Sequence, residues 1–253
     1  MKPSETSVTG VLVTGKTPDR YPLAKRAVAA WLEQRYEGPR NLIILNDHPT
    51  TPLYTNKLDV PPGVTELRVS GRRSLGELRN MGINHAKHDY IVQWDDDDFS
   101  HPNRLTYQVL KTEPGHASIF KWEINCNLID GHAFANNGNS IRCKGFPGTM
   151  LWPRETPARF PHKGKAEDTE FVLLLKKRGI AVDILNNDPW MYFRCYHGFN
   201  TWSEKHVMKP KPGSRDLNAE EKSYVAELLS TQYKDIVEDL RVKADAAQSG
   251  GQG

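Results

Sequence analysis

Four consecutive carboxylates, Asp95-Asp96-Asp97-Asp98, follow the apolar stretch Tyr90-Ile91-Val92 and Trp94. Carboxylates packed this closely repel one another and are tolerated only when solvated or when they hold a cation. Oxygen donors suit a hard divalent ion, so the run predicts a Mg²⁺ or Mn²⁺ site. The apolar stretch reads as a buried strand. In open α/β sheets, ligands gather beyond the carboxyl ends of strands. Position and chemistry therefore both point to a metal site that handles phosphate. The plainer alternative is an acidic loop that caps a helix starting near Pro102, although a cap needs only one short acidic residue. A second acidic pair, Glu167-Asp168, opens an apolar helical run far along the chain.

The elements that position these groups alternate in type. Residues 8–14, 41–45, 65–69 and 90–94 read as strands. Residues 22–35, 74–86 and 102–110 read as helices, with Pro22 suited to a first turn and Ser74 and Glu77 in capping-box spacing. Residues 48–63, rich in Pro and Thr, read as loop. Such alternation predicts a mostly parallel, doubly wound sheet. The pattern then changes to a hairpin over 117–136 around Asp130-Gly131 and a Gly-, Pro- and Lys/Arg-rich stretch over 137–164. A helix over 167–177 and strands over 180–185 and 191–196 follow. Residues 208–214 read as a linker, 219–240 as one amphipathic C-terminal helix, and 249–253 as a flexible tail.

Bulk composition narrows the classes. With 38% hydrophobic and 26% charged residues the 253-residue chain is ordinary globular protein. A net charge of +3 permits an anionic partner but does not by itself establish nucleic-acid binding. Cys126, Cys143 and Cys195 have no zinc spacing and fit a reducing compartment, so a cytoplasmic setting is expected. The first nine residues carry no signal-peptide core, and no apolar run is long enough to span a bilayer.

In order and spacing, five segments together resemble the GT-A glycosyltransferases, specifically the family 2-like inverting enzymes. They are Asn46-Asp47, Leu75-Gly76-Glu77-Leu78-Arg79-Asn80, the Asp run, Ala166-Glu167-Asp168, and Tyr196-His197-Gly198-Phe199-Asn200-Thr201-Trp202-Ser203. The resemblance covers about residues 8–203. It implies a Rossmann-like GT-A fold over 1–207, with a nucleotide-sugar half at about 8–115 and an acceptor half at about 116–207. Residues 208–253 would add a linker, a C-terminal helix and a tail.

The resemblance also implies roles. Thr14, Asp47, Arg79, Asn80, Asp95 and Asp96 fall on the donor side. Asp47 would meet a uracil, Asp95 a ribose, and Arg79 and Asn80 the nucleotide or pyrophosphate; Asp96 is expected to point away from its neighbours toward solvent. Asp97 and His197 would hold the metal, and Asp168 would act as base toward the acceptor. The expected activity is metal-dependent, inverting transfer from a UDP-linked sugar to a saccharide or a hydroxymethylated DNA base. The sequence Asn46-Asp47-His48-Pro49 departs from the family's usual small residues after the Asp, which bears on the base bound. Lys144, Arg154, Arg159, Lys163 and Lys165 suggest either a basic rim for an anionic acceptor or a solvated surface. Trp152 and Trp202 default to core packing. The lack of Gln-x-x-Arg-Trp and of membrane helices argues for a non-processive enzyme. Two rivals are a nucleotidyltransferase, whose usual Gly-rich basic loop after the first strand is longer than Thr14-Gly15-Lys16-Thr17, and a non-catalytic nucleotide-sugar or glycan-binding module.

Overall fold

A computed structural model describes residues 1–15 and 17–249, with the side chains of the last three left undescribed. Lys16 of the short Thr14–Thr17 loop, and all but the first residue of the expected tail, lie outside the described residues. The first half alternates as expected: β1 (Val8–Thr14), α1 (Tyr21–Leu32), β2 (Arg40–Asn46), β3 (Val64–Arg68), α2 (Leu75–His85), β4 (Tyr90–Gln93), the two-residue β5 (Phe99–Ser100) and α3 (Arg104–Lys111). After it come β6 (Ala117–Phe120), β7 (Trp122–Asn127), β8 (Ala133–Asn137), β9 (Phe146–Pro153), α4 (Glu167–Lys177), β10 (Val182–Leu185), β11 (Tyr192–Tyr196), α5 (Glu204–Val207), α6 (Ala219–Ser230) and α7 (Lys234–Ser249).

The central sheet has seven strands in the order β10-β6-β9-β4-β1-β2-β3. All neighbours in it are parallel except β9, which runs antiparallel between β4 and β6. This is the mostly parallel, Rossmann-like GT-A architecture. Every residue of β4 is buried, which is why it reads as a continuous apolar run. A second sheet, β5-β11-β7-β8, stands beside the first. The expected hairpin is β7–β8 alone, because the chain leaves the first sheet after β6 and enters the second at Trp122.

Local chemistry sets the helix ends nearest the cavity. Ser74 accepts from the Glu77 backbone while Glu77 accepts from the Ser74 backbone, so the capping box opens α2 as its sequence predicts. Gly76 is required in the first turn: a Cβ there would lie 1.9 Å from the Pro161 carbonyl oxygen. Ala166, just before α4, takes the left-handed conformation (φ 57°), uncommon for a residue with a Cβ.

The single C-terminal helix expected over 219–240 is two helices. The Thr231 hydroxyl and backbone N–H both bond the Glu227 carbonyl, and the chain turns so that Tyr233 enters the core. Leu217, Val225, Leu228, Tyr233, Val237 and Leu240 share one apolar cluster with β1 and α1. Among the described residues no helix is long and apolar enough to cross a membrane.

Candidate active site

A cavity of about 890 Å³ opens beyond the carboxyl ends of β1, β2 and β4. Trp94 anchors the turn that delivers the Asp run there. It is buried, donates to the Ala27 carbonyl at 2.9 Å, and meets Trp31 edge-on at 5.0 Å. Beneath it the buried Arg104 donates to the Gln93 carbonyl and lies against the Trp94 and Tyr192 rings. Burial lowers the Arg104 pKa to about 10.

The four carboxylates are held by different partners. Asp95 accepts from Arg79 at 2.9 Å and from the Gln93 amide at 3.0 and 3.1 Å. Asp97 Oδ2 meets Arg20 at 2.8 Å, His197 Nε2 at 3.2 Å and the Asn200 amide at 3.4 Å. Burial opposes ionisation of Asp97, but Arg20 and His197 outweigh it and hold its pKa below the usual carboxylate range. Asp98 accepts from the Tyr192 hydroxyl and the Cys195 backbone. Burial and then the neighbouring Asp97 and Asp95 push its carboxyl well up, so it holds a proton readily.

Asp96 does not point to solvent. It is 4% exposed and accepts a two-pronged bond from Arg20. A buried carboxylate requires such a partner, and Arg20 comes from the short helical turn Pro18–Arg20 ahead of α1. Arg79 does a similar service across the cavity. It is buried rather than a surface partner of Glu77 or Asp89, and it bridges Asp95 and Glu167. Burial works against its charge, yet Asp95 and Glu167 more than compensate.

The remaining predicted residues divide. Thr14, Asp47 and Asp168 line the cavity. Asn46 shapes the loop that presents Asp47, accepting from the His48 backbone and donating to Glu66. Asp168 sits in the first turn of α4, where one oxygen accepts from the Thr169 N–H at 2.6 Å. Asn80 does not reach the cavity lining; its amide clamps the Phe160 backbone in both directions, at 2.9 and 2.8 Å. His197 is 1% exposed and lies behind Asp97. Its Nδ1 accepts from the Phe199 N–H, which leaves the ring hydrogen of a neutral imidazole on Nε2, facing Asp97. Trp152 is core, whereas Trp202 lines the cavity. Of the expected basic rim only Lys165 lines it; Arg154 and Lys163 pair with Glu155 and Glu170, and Arg159 bonds nearby carbonyls. Arg20, Arg72, Arg73 and Arg194 are lining residues that sequence reasoning did not single out, and Glu167, noted there only as the neighbour of Asp168, proves to be the buried partner of Arg79. The one available signal was that buried carboxylates require counter-charges, without saying which basic residues supply them.

The model of glycosyl transferase family 2 matches residues 17–147, just over half of the chain. This chain belongs to glycosyl transferase family 2. The match contains the Asp run, α2 with Arg79, and the Asp47 loop. Solved structures with the same fold include residues 1–349 of S. aureus TarS in complex with UDP-GlcNAc, at 13% identity and a TM-score of 0.56, covering 92% of this chain and 66% of that one. The complex of the same TarS segment with UDP aligns at 12% identity and 0.54, covering 92% and 65%. The family 2 chain thus spans slightly under two thirds of these neighbours. No curated protein matches it.

Proposed function

We propose that this family 2 member is a metal-dependent, inverting, non-processive glycosyltransferase. It moves a sugar from a UDP-linked donor to a hydroxyl of a saccharide or of a hydroxymethylated DNA base. The observation that carries this reading is convergence: Asp95 and Asp97 from the end of β4 and Asp168 from α4 line one cavity together with Asp47 and Thr14. The complexes of TarS with UDP and UDP-GlcNAc support a UDP-linked donor.

The donor set suits a hard divalent ion. Among the described residues no three His, Cys, Asp or Glu side chains gather as a ready-made cage. Mg²⁺ needs none, because it commonly binds through one or two carboxylates plus substrate phosphates and water. Asp97 and Asp95, which face the cavity, would hold it, and His197 would orient Asp97 from behind. Bound there, the ion supplies Lewis-acid stabilisation of the diphosphate leaving group. Asp168 takes the acceptor proton as the hydroxyl oxygen attacks the anomeric carbon on the face opposite the diphosphate, which inverts that centre. Arg79 positions Asp95 and Glu167 and is not itself required to touch the donor. Three buried free thiols support a reducing, cytoplasmic setting.

The test is thermal unfolding with nucleoside diphosphates, with and without Mn²⁺. A ligand that binds only the folded state stabilises it by about 2.7 kcal/mol at a hundredfold excess over its Kd. A Mn²⁺-dependent shift with UDP that vanishes in Asp97→Ala is expected. No shift with any nucleoside diphosphate would sink the reading.

A further inference from the structure

A second pocket, of about 260 Å³, shares no lining residue with the catalytic cavity. It is enclosed by His101, Trp190 and four residues of α6: Glu220, Ser223, Tyr224 and Glu227. Spacings of three, four and seven put those four on one face of α6, while Glu221, Val225 and Leu228 turn into the protein. The pairing of β5 with β11 sets the opposite wall. His101 follows β5, Trp190 precedes β11, and the His101 N–H donates to the Met191 carbonyl at 3.2 Å. The Tyr224 ring is backed by Phe193 at 5.8 Å and Phe99 at 6.5 Å, so the core fixes this aromatic surface. Trp190 meets Tyr224 at 6.4 Å and 71°, which makes a corner rather than a flat platform.

The charge of this corner is one-sided. Glu220 and Glu227 are exposed, and among the described residues neither side chain has a hydrogen bond or an ion pair. Glu220 lies in the first turn of α6, where the helix dipole favours an anion. Glu227 lies in the last turn, where the dipole disfavours one, and that turn holds no basic residue. His101 adds no charge: burial and then Arg35 lower its pKa, and its Nδ1 accepts from the Asn103 N–H. Burial, with Glu227 and Glu33 and against Arg26, pushes the Tyr224 hydroxyl up to about 12, so it stays neutral. Arg35 and Arg26 lie outside the pocket lining. Two carboxylates without cations, set beside two aromatic faces, ask for positive charge, because the ring quadrupole attracts it too. The shape of the walls decides which kind. A guanidinium or a pyranose stacks on a flat ring, whereas a corner receives a rounded headgroup.

We propose that this pocket binds a quaternary ammonium headgroup, seated between the Trp190 and Tyr224 rings, with Glu220 and Glu227 supplying the counter-charge. A quaternary nitrogen carries no N–H, so it needs no hydrogen-bond acceptor inside the corner, and the carboxylates at the rim act on it through space. A volume of about 260 Å³ takes one such headgroup and a short chain, not a folded segment. The occupant is therefore a small amine of the choline type. The site does not depend on the glycosyltransferase reading and stands or falls without it.

The experiment titrates the full chain with choline chloride and follows the choline methyl resonance by NMR, with sodium chloride holding the ionic strength constant. Methylammonium, glucose and a peptide carrying trimethyllysine are run alongside. Choline is expected to bind about tenfold more tightly than methylammonium, and glucose not to bind. Glu227→Gln should weaken choline about threefold, and Glu220→Gln with Glu227→Gln about tenfold, with the melting temperature of the free protein unchanged. Both residues are exposed, so these variants report on binding even if Trp190→Leu, which should abolish it, fails to fold. Choline binding no tighter than that of methylammonium overturns the proposal. Binding that survives the double substitution also overturns it, because the cation then sits elsewhere, at the Asp run for instance. Glucose bound in place of choline would make the pocket a sugar subsite, and the peptide bound in place of choline would move the ligand to a partner protein; either result overturns the assignment.

Discussion

On the side of the cavity built from the first sheet, the buried charges are matched within the protein. Arg79 bridges Asp95 and Glu167, Arg20 serves Asp96 and Asp97, and Tyr192 and a backbone N–H serve Asp98. On the side built from the second sheet, Arg194 and Lys165 line the cavity with no ion pair within 4.0 Å among the described residues, and Glu123, Asp98 and Asp168 act on Arg194 at longer range. The first side is fixed by direct ion pairs, although Thr14 Oγ1 and Gln93 Oε1 there are buried without a partner; the second side holds its charges at longer range. This contrast predicts that substitutions on the first side damage the fold, while those on the second damage turnover or pH response.

The largest effect belongs to Asp168. Asp168→Asn removes the proposed proton acceptor but little volume. Turnover should fall by about 10²–10⁴-fold, the usual worth of general acid–base help, while UDP affinity and melting temperature stay near wild type. A variant that turns over at the wild-type rate would place the base elsewhere and dissolve the distinction between the two sides.

Arg79→Met strikes the matched side. It leaves Asp95 and Glu167 without their shared partner in a buried setting, and such losses cost about 3–5 kcal/mol. Chemical denaturation should report this as a lower midpoint at constant slope. Adding Glu167→Gln removes one of the two stranded charges and should recover part of the loss. If Arg79→Met is as stable as wild type, the pairing contributes nothing and the first side is not preset.

Glu123 offers a pH test of the second side. Burial, only partly offset by Arg194 and Lys211, pushes its carboxyl from 4.5 up to about 7. The folded state therefore holds this proton more tightly than the unfolded chain does. The stabilisation is complete below about pH 4.5 and is lost as pH rises toward 7, on the order of 1–3 kcal/mol. Unfolding of Glu123→Gln followed across that window should show a flatter profile than wild type. Parallel profiles would mean that Glu123 titrates normally and that its corner is already satisfied.

The sequence made one side far more legible than the other. The Asp run, its strand and the capped α2 are announced by residues close together in the chain, where periodicity and capping rules apply. Arg20 reaches Asp96 across 76 positions and Arg79 reaches Glu167 across 88, and no local pattern encodes those pairings. Asp96 was therefore expected in solvent, because its counter-ion could not be seen. The second sheet was hidden for the same reason: β7 and β11 pair in parallel across a long intervening segment. The break between α6 and α7 contains neither Gly nor Pro. It is made by burial of Tyr233, a tertiary effect that overrides a continuous amphipathic pattern.

The smallest effect is the finest probe of how firmly the first side is set. Ser74 caps α2 at the edge of the cavity, and Arg79 stands on that helix just over one turn further in. Ser74→Ala should cost about 1 kcal/mol, the ordinary value of an N-cap, which in a chain of this size lowers the melting temperature by roughly 2–4 °C. If Arg79 were held mainly by its own helix, loosening the first turn would also weaken UDP binding. Arg79 is instead gripped by Asp95 from the end of β4 and Glu167 from α4, and Asn80 beside it is clamped to the Phe160 backbone. These three anchors lie outside α2 and survive the substitution. UDP affinity in the presence of Mn²⁺ should therefore remain within twofold of wild type although stability falls. A proportionate loss of both would show that the donor side depends on its helix cap and is less rigid than its matched charges suggest.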